Sequence, residues 1–206
     1  MVMIDGILSS CGKNQYGQLG LKDNNDRNEL NIIDLKDIIA FSCNGDFSYV
    51  LTSKGLFSSG NNEYGQLGLG DRDNRNYFHE INISKTIISF ALGFYHSFVH
   101  TKEGVFSCGY NLYGQLGLND NTARDLLNNV YIKDVISIAL GSYHSLVLTK
   151  TGLFGCGENL FGQLGLGDHN HHRSFEKINI SNVITFSCGN NYSIILTKNG
   201  IIMFFL

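Results

Sequence analysis

The sequence predicts an all-β fold, a β-propeller of four-stranded antiparallel blades, present as about four repeat units. Three observations carry this prediction. Tyr16-Gly17-Gln18-Leu19-Gly20-Leu21 returns at Tyr64, at Tyr113 and, with Phe, at Phe161, in steps of 48, 49 and 48 residues. Each unit divides into short apolar runs bounded by turn residues. No segment sustains helical periodicity. Self-similarity near 50 residues with four strands per unit is the signature of propeller blades.

The third unit shows the elements in order. Val135-Ile136-Ser137-Ile138-Ala139-Leu140 is apolar and β-branched, a strand, and Gly141-Ser142-Tyr143 turns. Ser145-Leu146-Val147-Leu148-Thr149 is a second strand, closed by the tight connection Lys150-Thr151-Gly152. Leu153-Phe154-Gly155-Cys156-Gly157 is a third, followed by the Gly-Gln-Leu-Gly loop. Glu176-Lys177-Ile178-Asn179-Ile180 alternates polar with apolar and predicts an outer, half-exposed fourth strand. The chain reads as one repeat domain, 1–206, with repeat loops at 12–23, 60–71, 109–120 and 157–168. It opens on the third-strand pattern Gly6-Ile7-Leu8-Ser9-Ser10-Cys11-Gly12 and reaches Thr197-Lys198-Asn199-Gly200 just before the next such strand. Residues 201–206 read as an off-pattern tail.

Aligned columns give the recurring residues structural work. Asn14, Asn62, Asn111 and Asn159 suit turn capping by side-chain to backbone hydrogen bonds. Gln18 and its copies can satisfy loop backbone groups that strand ladders leave unpaired, and Leu19 and its copies plug the gap between blades. Asp23, Asp71, Asp120 and Asp168 form a further column, as do Ser48, Ser97, Ser145 and Ser193, and Thr52, Thr101, Thr149 and Thr197.

Composition excludes several classes. A net charge of -3 supplies no attraction for nucleic acid or an anionic membrane. No run is long and apolar enough to span a bilayer, and Met1-Val2-Met3-Ile4-Asp5 does not begin a secretory signal, so an intracellular setting in cytoplasm or nucleus is expected. Five cysteines, an odd number without a Cys-x-x-Cys spacing, argue against a disulfide framework. Cys11, Cys108 and Cys156 share a column with Ser59, and Cys43 and Cys188 share one with Leu92 and Leu140, which marks packing positions rather than ligands.

These columns resemble the regulator of chromosome condensation repeat family. That family's Gly-x-Asn-x-x-Gly-Gln-Leu-Gly loop stands here as Gly109-Tyr110-Asn111-Leu112-Tyr113-Gly114-Gln115-Leu116-Gly117. Its Gly-x-x-His-Ser strand stands as Gly93-Phe94-Tyr95-His96-Ser97 and Gly141-Ser142-Tyr143-His144-Ser145. The resemblance implies a seven-bladed propeller, of which this chain holds four units. A longer propeller that has been cut, a truncated gene model and an open arc all fit that count. A closed four-blade ring is conceivable but gains little support from the resemblance, and an open arc invites self-association through sheet edges. By resemblance, two functions follow: a protein-binding scaffold, or a guanine-nucleotide exchange factor or regulator for a Ran-type small GTPase. The founding member's wedge hairpin has no room in steps of 48 and 49 residues, and its basic tail has no counterpart. A light sensor built on clustered tryptophans, known in one plant branch, is excluded by Trp 0.

No catalytic set appears: there is no phosphate-binding Gly-rich loop, no Gly-x-Ser-x-Gly and no His-Glu-x-x-His. No cofactor or metal is expected. The His column reads Phe47, His96, His144 and Tyr192, which predicts packed rings with one hydrogen bond each rather than catalysis. Candidate partner contacts are the loop residues Asp71, Arg72, Asp73, Arg75, Arg124, His169, His171, His172 and Arg173. Arg27, Arg75, Arg124 and Arg173 read as one column that pairs with the Asp column. The fourth loop, with His169-Asn170-His171-His172, reads as one residue longer than the others and as a polar exposed loop.

Overall fold

A computed structural model describes residues 1–204. All its regular structure is antiparallel β, in five sheets. The first is β1 (Val2–Ile4), β2 (Ile7–Gly12) and β3 (Arg27–Ile32). Three four-stranded blades follow in simple meander order. They are β4 (Ile38–Asn44), β5 (Phe47–Thr52), β6 (Leu56–Gly60) and β7 (Arg75–Glu80); β8 (Ile87–Leu92), β9 (His96–Thr101), β10 (Gly104–Gly109) and β11 (Arg124–Val130); and β12 (Val135–Leu140), β13 (His144–Thr149), β14 (Gly152–Gly157) and β15 (His172–Lys177). The last sheet is β16 (Val183–Cys188), β17 (Ser193–Thr197) and β18 (Gly200–Phe204).

Blade meets blade along the first strands, β4 to β8 to β12 to β16, which therefore line the inner side of the arc. The tight turn between second and third strands is closed the same way each time. Thr101 Oγ1 donates to the Gly104 carbonyl at 2.9 Å, and Thr149 and Thr197 do the same to Gly152 and Gly200. That is the work of the Thr column.

The core lies between blades rather than within them. Leu8, Ile33, Val50 and Phe78 fill the first interface, and Tyr49, Leu56, Leu67 and Val99 belong to the second. Phe98, Val105, Leu116 and Val130 fill the third, and Leu146, Leu153, Leu164 and Ile195 the fourth. The motif leucines Leu67, Leu116 and Leu164 are fully buried in these clusters, each contributing about 2 kcal/mol of burial. Close approach explains the motif glycine. A Cβ on Gly65, whose φ is +82°, would stand 2.7 Å from the Arg124 carbonyl oxygen of the next blade.

Two expectations are corrected. The fourth strand does not occupy 176–180; it runs His172–Lys177, and the buried Ile178 continues into the connection, its N–H donating to the Leu153 carbonyl at 2.9 Å. A bulge between Gly155 and Gly157 offsets the β14–β15 register, so alternation alone misplaces the strand. The tail expected to leave the pattern from 201 instead continues it. Gly200–Phe204 pairs with β17, Ser193 opposite Phe204, in the place that Cys108 and Cys156 hold opposite Ser97 and Ser145. Ile201 and Ile202 suit a strand whether or not a Gly-x-Asn loop follows. Residues 205 and 206 of that tail lie outside the described residues.

Candidate protein-docking face

Antiparallel order puts the first-to-second turns and the third-to-fourth loops at one end of every blade. The loops are rigid because their columns are tied together. Asn62 Oδ1 accepts the Leu67 N–H at 3.0 Å while its Nδ2 donates to the Asp71 carbonyl at 2.9 Å, and Asn14, Asn111 and Asn159 repeat both bonds. The Asp carboxylate then takes a guanidinium four residues on: Asp23 with Arg27, Asp71 with Arg75 and Asp120 with Arg124, each at 2.5 Å. At Asp71, burial pulls the carboxyl upward, but the Asp73 N–H and Arg75 outweigh it and hold the group below its ordinary value.

This geometry sorts the predicted contact residues. Asp71, Arg75 and Arg124 are engaged inside their own loops. In the fourth loop the partner of Asp168 is His172, Nε2 to Oδ1 at 3.2 Å, and His172 stands opposite Gly157 as Arg124 stands opposite Gly109. His172, not Arg173, therefore belongs to the Arg column, and the fourth loop has the same length as the others. The run of polar residues hides the shift of one position. Arg173 packs its backbone against Gly114 of the preceding blade. Arg72, Asp73, His169, His171 and Arg173 are exposed. The three histidines of this loop answer to different partners: His169 Nδ1 lies 3.1 Å from the Leu160 carbonyl, and His171 Nδ1 accepts the Asn159 N–H at 3.3 Å. Among the described residues no three His, Cys, Asp or Glu side chains gather where a metal ion could be held.

Beneath the loops, a polar relay crosses the blade interfaces. Ser145 Oγ donates to the Gln115 carbonyl at 2.7 Å, so it must accept from His96 Nε2 at 2.8 Å, which places the imidazole proton on Nε2. His144 Nε2, Ser193 and the Gln163 carbonyl repeat this one blade on. Neither Nδ1 has a partner. Burial pushes His96 down to about 3 and His144 to about 4, so both rings are neutral and structural. A Cβ on Gly93 would come within 2.6 Å of His96 Nδ1, which is why glycine precedes the His-Ser pair.

The feature that sequence reasoning missed is aromatic. Tyr64 and Tyr113 from the loops, Tyr95 and Tyr143 from the turns, and Tyr110 between them form one half-buried cluster over three blades. Tyr110 is its centre, 4.8 Å from Tyr64, 5.7 Å from Tyr143, and 6.2 Å from both Tyr95 and Tyr113 by ring centroid. His171 extends it, 4.8 Å from Tyr113. Burial and the neighbouring phenols push the Tyr143 hydroxyl up to about 12. The signal available in the sequence was the column Lys13, Asn61, Tyr110, Glu158, polar in every copy but one.

A meander of four-stranded blades, with the core between blades and a loop face stapled by Asn and Asp columns, defines a β-propeller built from tandem repeats. The chain belongs to the regulator of chromosome condensation (RCC1) repeat family, whose repeat matches residues 5–51, 55–100, 102–148 and 152–196. A second pattern for the same repeat matches 135–163. No curated protein sequence matches at a significant level. Among solved structures, human WBSCR16 is similar with a TM-score of 0.83 and 26% identity over 95% of this chain and 55% of that one. Yeast RCC1 (Prp20), solved bound to Kap60, gives 0.84 and 20% over 97% and 52%. Prp20p from Saccharomyces cerevisiae, described with its binding to Gsp1p and histones, gives 0.77 and 22% over 92% and 51%. The chain thus spans about half the length of these relatives.

Proposed function

We propose that this chain is a protein-interaction scaffold that docks a partner protein on its loop face. The observation that carries the reading is a division of labour. The repeated Asn, Asp, Gln and Ser residues are consumed by the fold, whereas the side chains of Arg72, Asp73 and Arg173 stand exposed on rigid loops of that face. The exposed His169 and His171 join them, each keeping one bond to its own loop. Rigid elements that present variable polar side chains suit recognition, and no residue set on the face suits covalent chemistry. A pull-down with the full chain tests this. Recovery of a stable partner, weakened by Arg72→Glu and Arg173→Glu but unchanged by His96→Phe, supports the scaffold; a partner indifferent to both loop changes sinks it.

A second reading, exchange or regulation on a Ran-type small GTPase, is favoured by the similarity to Prp20p, which is described with Gsp1p binding. Its support is fold-level, and the regular repeat steps leave no insertion to act as a wedge. Release of labelled nucleotide from Ran-type GTPases decides it: no acceleration removes the reading.

A further inference from the structure

Tyr110 breaks a structural rule that the other three units keep. The buried Gln of each loop needs an acceptor for its Nε2 group. Gln66 finds Asn61 Oδ1 at 2.9 Å, Gln163 finds Glu158 Oε2 at 3.1 Å, and Gln18 finds Asp46 Oδ1 at 3.0 Å from the neighbouring turn. In the third unit the column residue is Tyr110, and Gln115, fully buried, leaves its Nε2 without a partner. An unmet buried donor is expensive, and a sequence that tolerates one locally is being held to something other than stability. What it gains is the ring at the centre of the tyrosine cluster.

Carboxylates flank the Tyr64–Tyr110 side of the cluster, while His171 packs on Tyr113 at its other end. Glu63 adjoins Tyr64, and the Glu158 carboxylate, on a residue only 6% exposed, acts on Tyr110. Neither is ion-paired among the described residues. Asp125 lies against Gly65 beside them. On the other side, Arg124, at the end of the loop that carries Tyr110, is bound to Asp120, and Arg173 lies beside Gly114, next to Tyr113. Ring faces are negative, and Tyr anchors are the residues that dominate interface energies.

We propose that the tyrosine cluster is the docking site for an arginine-bearing segment of the partner protein, whose guanidinium stacks on the rings while Glu158 and Glu63 supply the counter-charge. The fork of a guanidinium suits both the flat rings and the carboxylates, which a partner presenting acidic side chains would meet with repulsion. This rests on the scaffold reading and names the partner's chemistry.

Fluorescence anisotropy of the full chain with a labelled peptide alternating arginine and glycine, against one alternating glutamate and glycine, tests the assignment at about 0.15 M salt, where distant surface charges are screened. The arginine peptide should bind and the glutamate peptide should not. Tyr110→Asn installs the residue that the second unit carries at Asn61, returning an acceptor to Gln115, so it is designed to fold; binding should fall at least about tenfold. Glu158→Gln keeps an oxygen for Gln163 and removes only the charge; it should weaken the arginine peptide by about threefold or more. Equal binding of the two peptides, or undiminished binding by a folded Tyr110→Asn chain, overturns the inference. If the arginine peptide fails to bind while Arg72→Glu and Arg173→Glu still release a captured partner, the tyrosine site falls and the scaffold stands.

Discussion

His144 Nε2 and Ser193 Oγ meet at 3.0 Å across the gap between two blades, with the imidazole wholly buried and its Nδ1 bare. His96 makes the same contact with Ser145 one interface earlier. A neutral ring is thus built into two interfaces.

Acid should loosen those interfaces first. The folded-state values, about 3 for His96 and about 4 for His144, lie below the unfolded 6.5, so the unfolded chain takes up protons first. Stability is full above pH 6.5 and falls as pH drops toward 4 and 3, each histidine removing about 2 kcal/mol between pH 7 and pH 5. Urea midpoints across this range measure it. His144→Phe, the residue that Phe47 supplies in the first copy of the column, should remove about 2 kcal/mol of the acid loss.

The loop staple can be cut at one atom pair. Asn62→Ala leaves the buried Leu67 N–H without its acceptor and the Asp71 carbonyl without its donor. A loss of about 3 kcal/mol is expected in urea unfolding. A loss below about 1 kcal/mol would mean water replaces the side chain there.

Core truncation should cost most at the motif leucine. Leu116→Ala opens a cavity at the interface shared by Phe98, Val105 and Val130, with an expected loss of about 3–4 kcal/mol. Leu112→Ala, on an exposed residue of the same loop, should change stability by less than about 0.5 kcal/mol.

Arginines at corresponding ends of two successive blades should separate by role. Arg124→Ala removes the partner of Asp120 and should lower the thermal midpoint by a degree or more, because that pair also braces the loop. Arg173→Ala, exposed and without an ion pair among the described residues, should leave the midpoint unchanged and act on partner capture alone.

Columns made most of the fold legible in the sequence, because each interface repeats the same contacts and therefore the same residues. The leucine plugs, the Asn caps and the packed His96 and His144 follow directly from that repetition. Failures occur where a copy departs from its neighbours. Arg173 looks like the column arginine until the Asp168–His172 bond sets the register, and β15 begins earlier than alternation suggests because the bulge at Gly155–Gly157 consumes a residue. Tyr110 is the instructive case. It stands in a Lys, Asn and Glu column, but only three-dimensional proximity reveals that Tyr95 from its own blade and Tyr64 and Tyr143 from the blades on either side gather around it.

Because the apolar clusters sit between sheets, no sheet owns a core, and a solitary 48-residue unit would have nothing to fold around. Each added unit brings one complete interface, and with it a fixed increment of cohesion that the preceding units already match in shape. Lengthening the array is therefore a matter of copying rather than redesign, and a single altered interface is a weak link that divides the array into two independently melting halves.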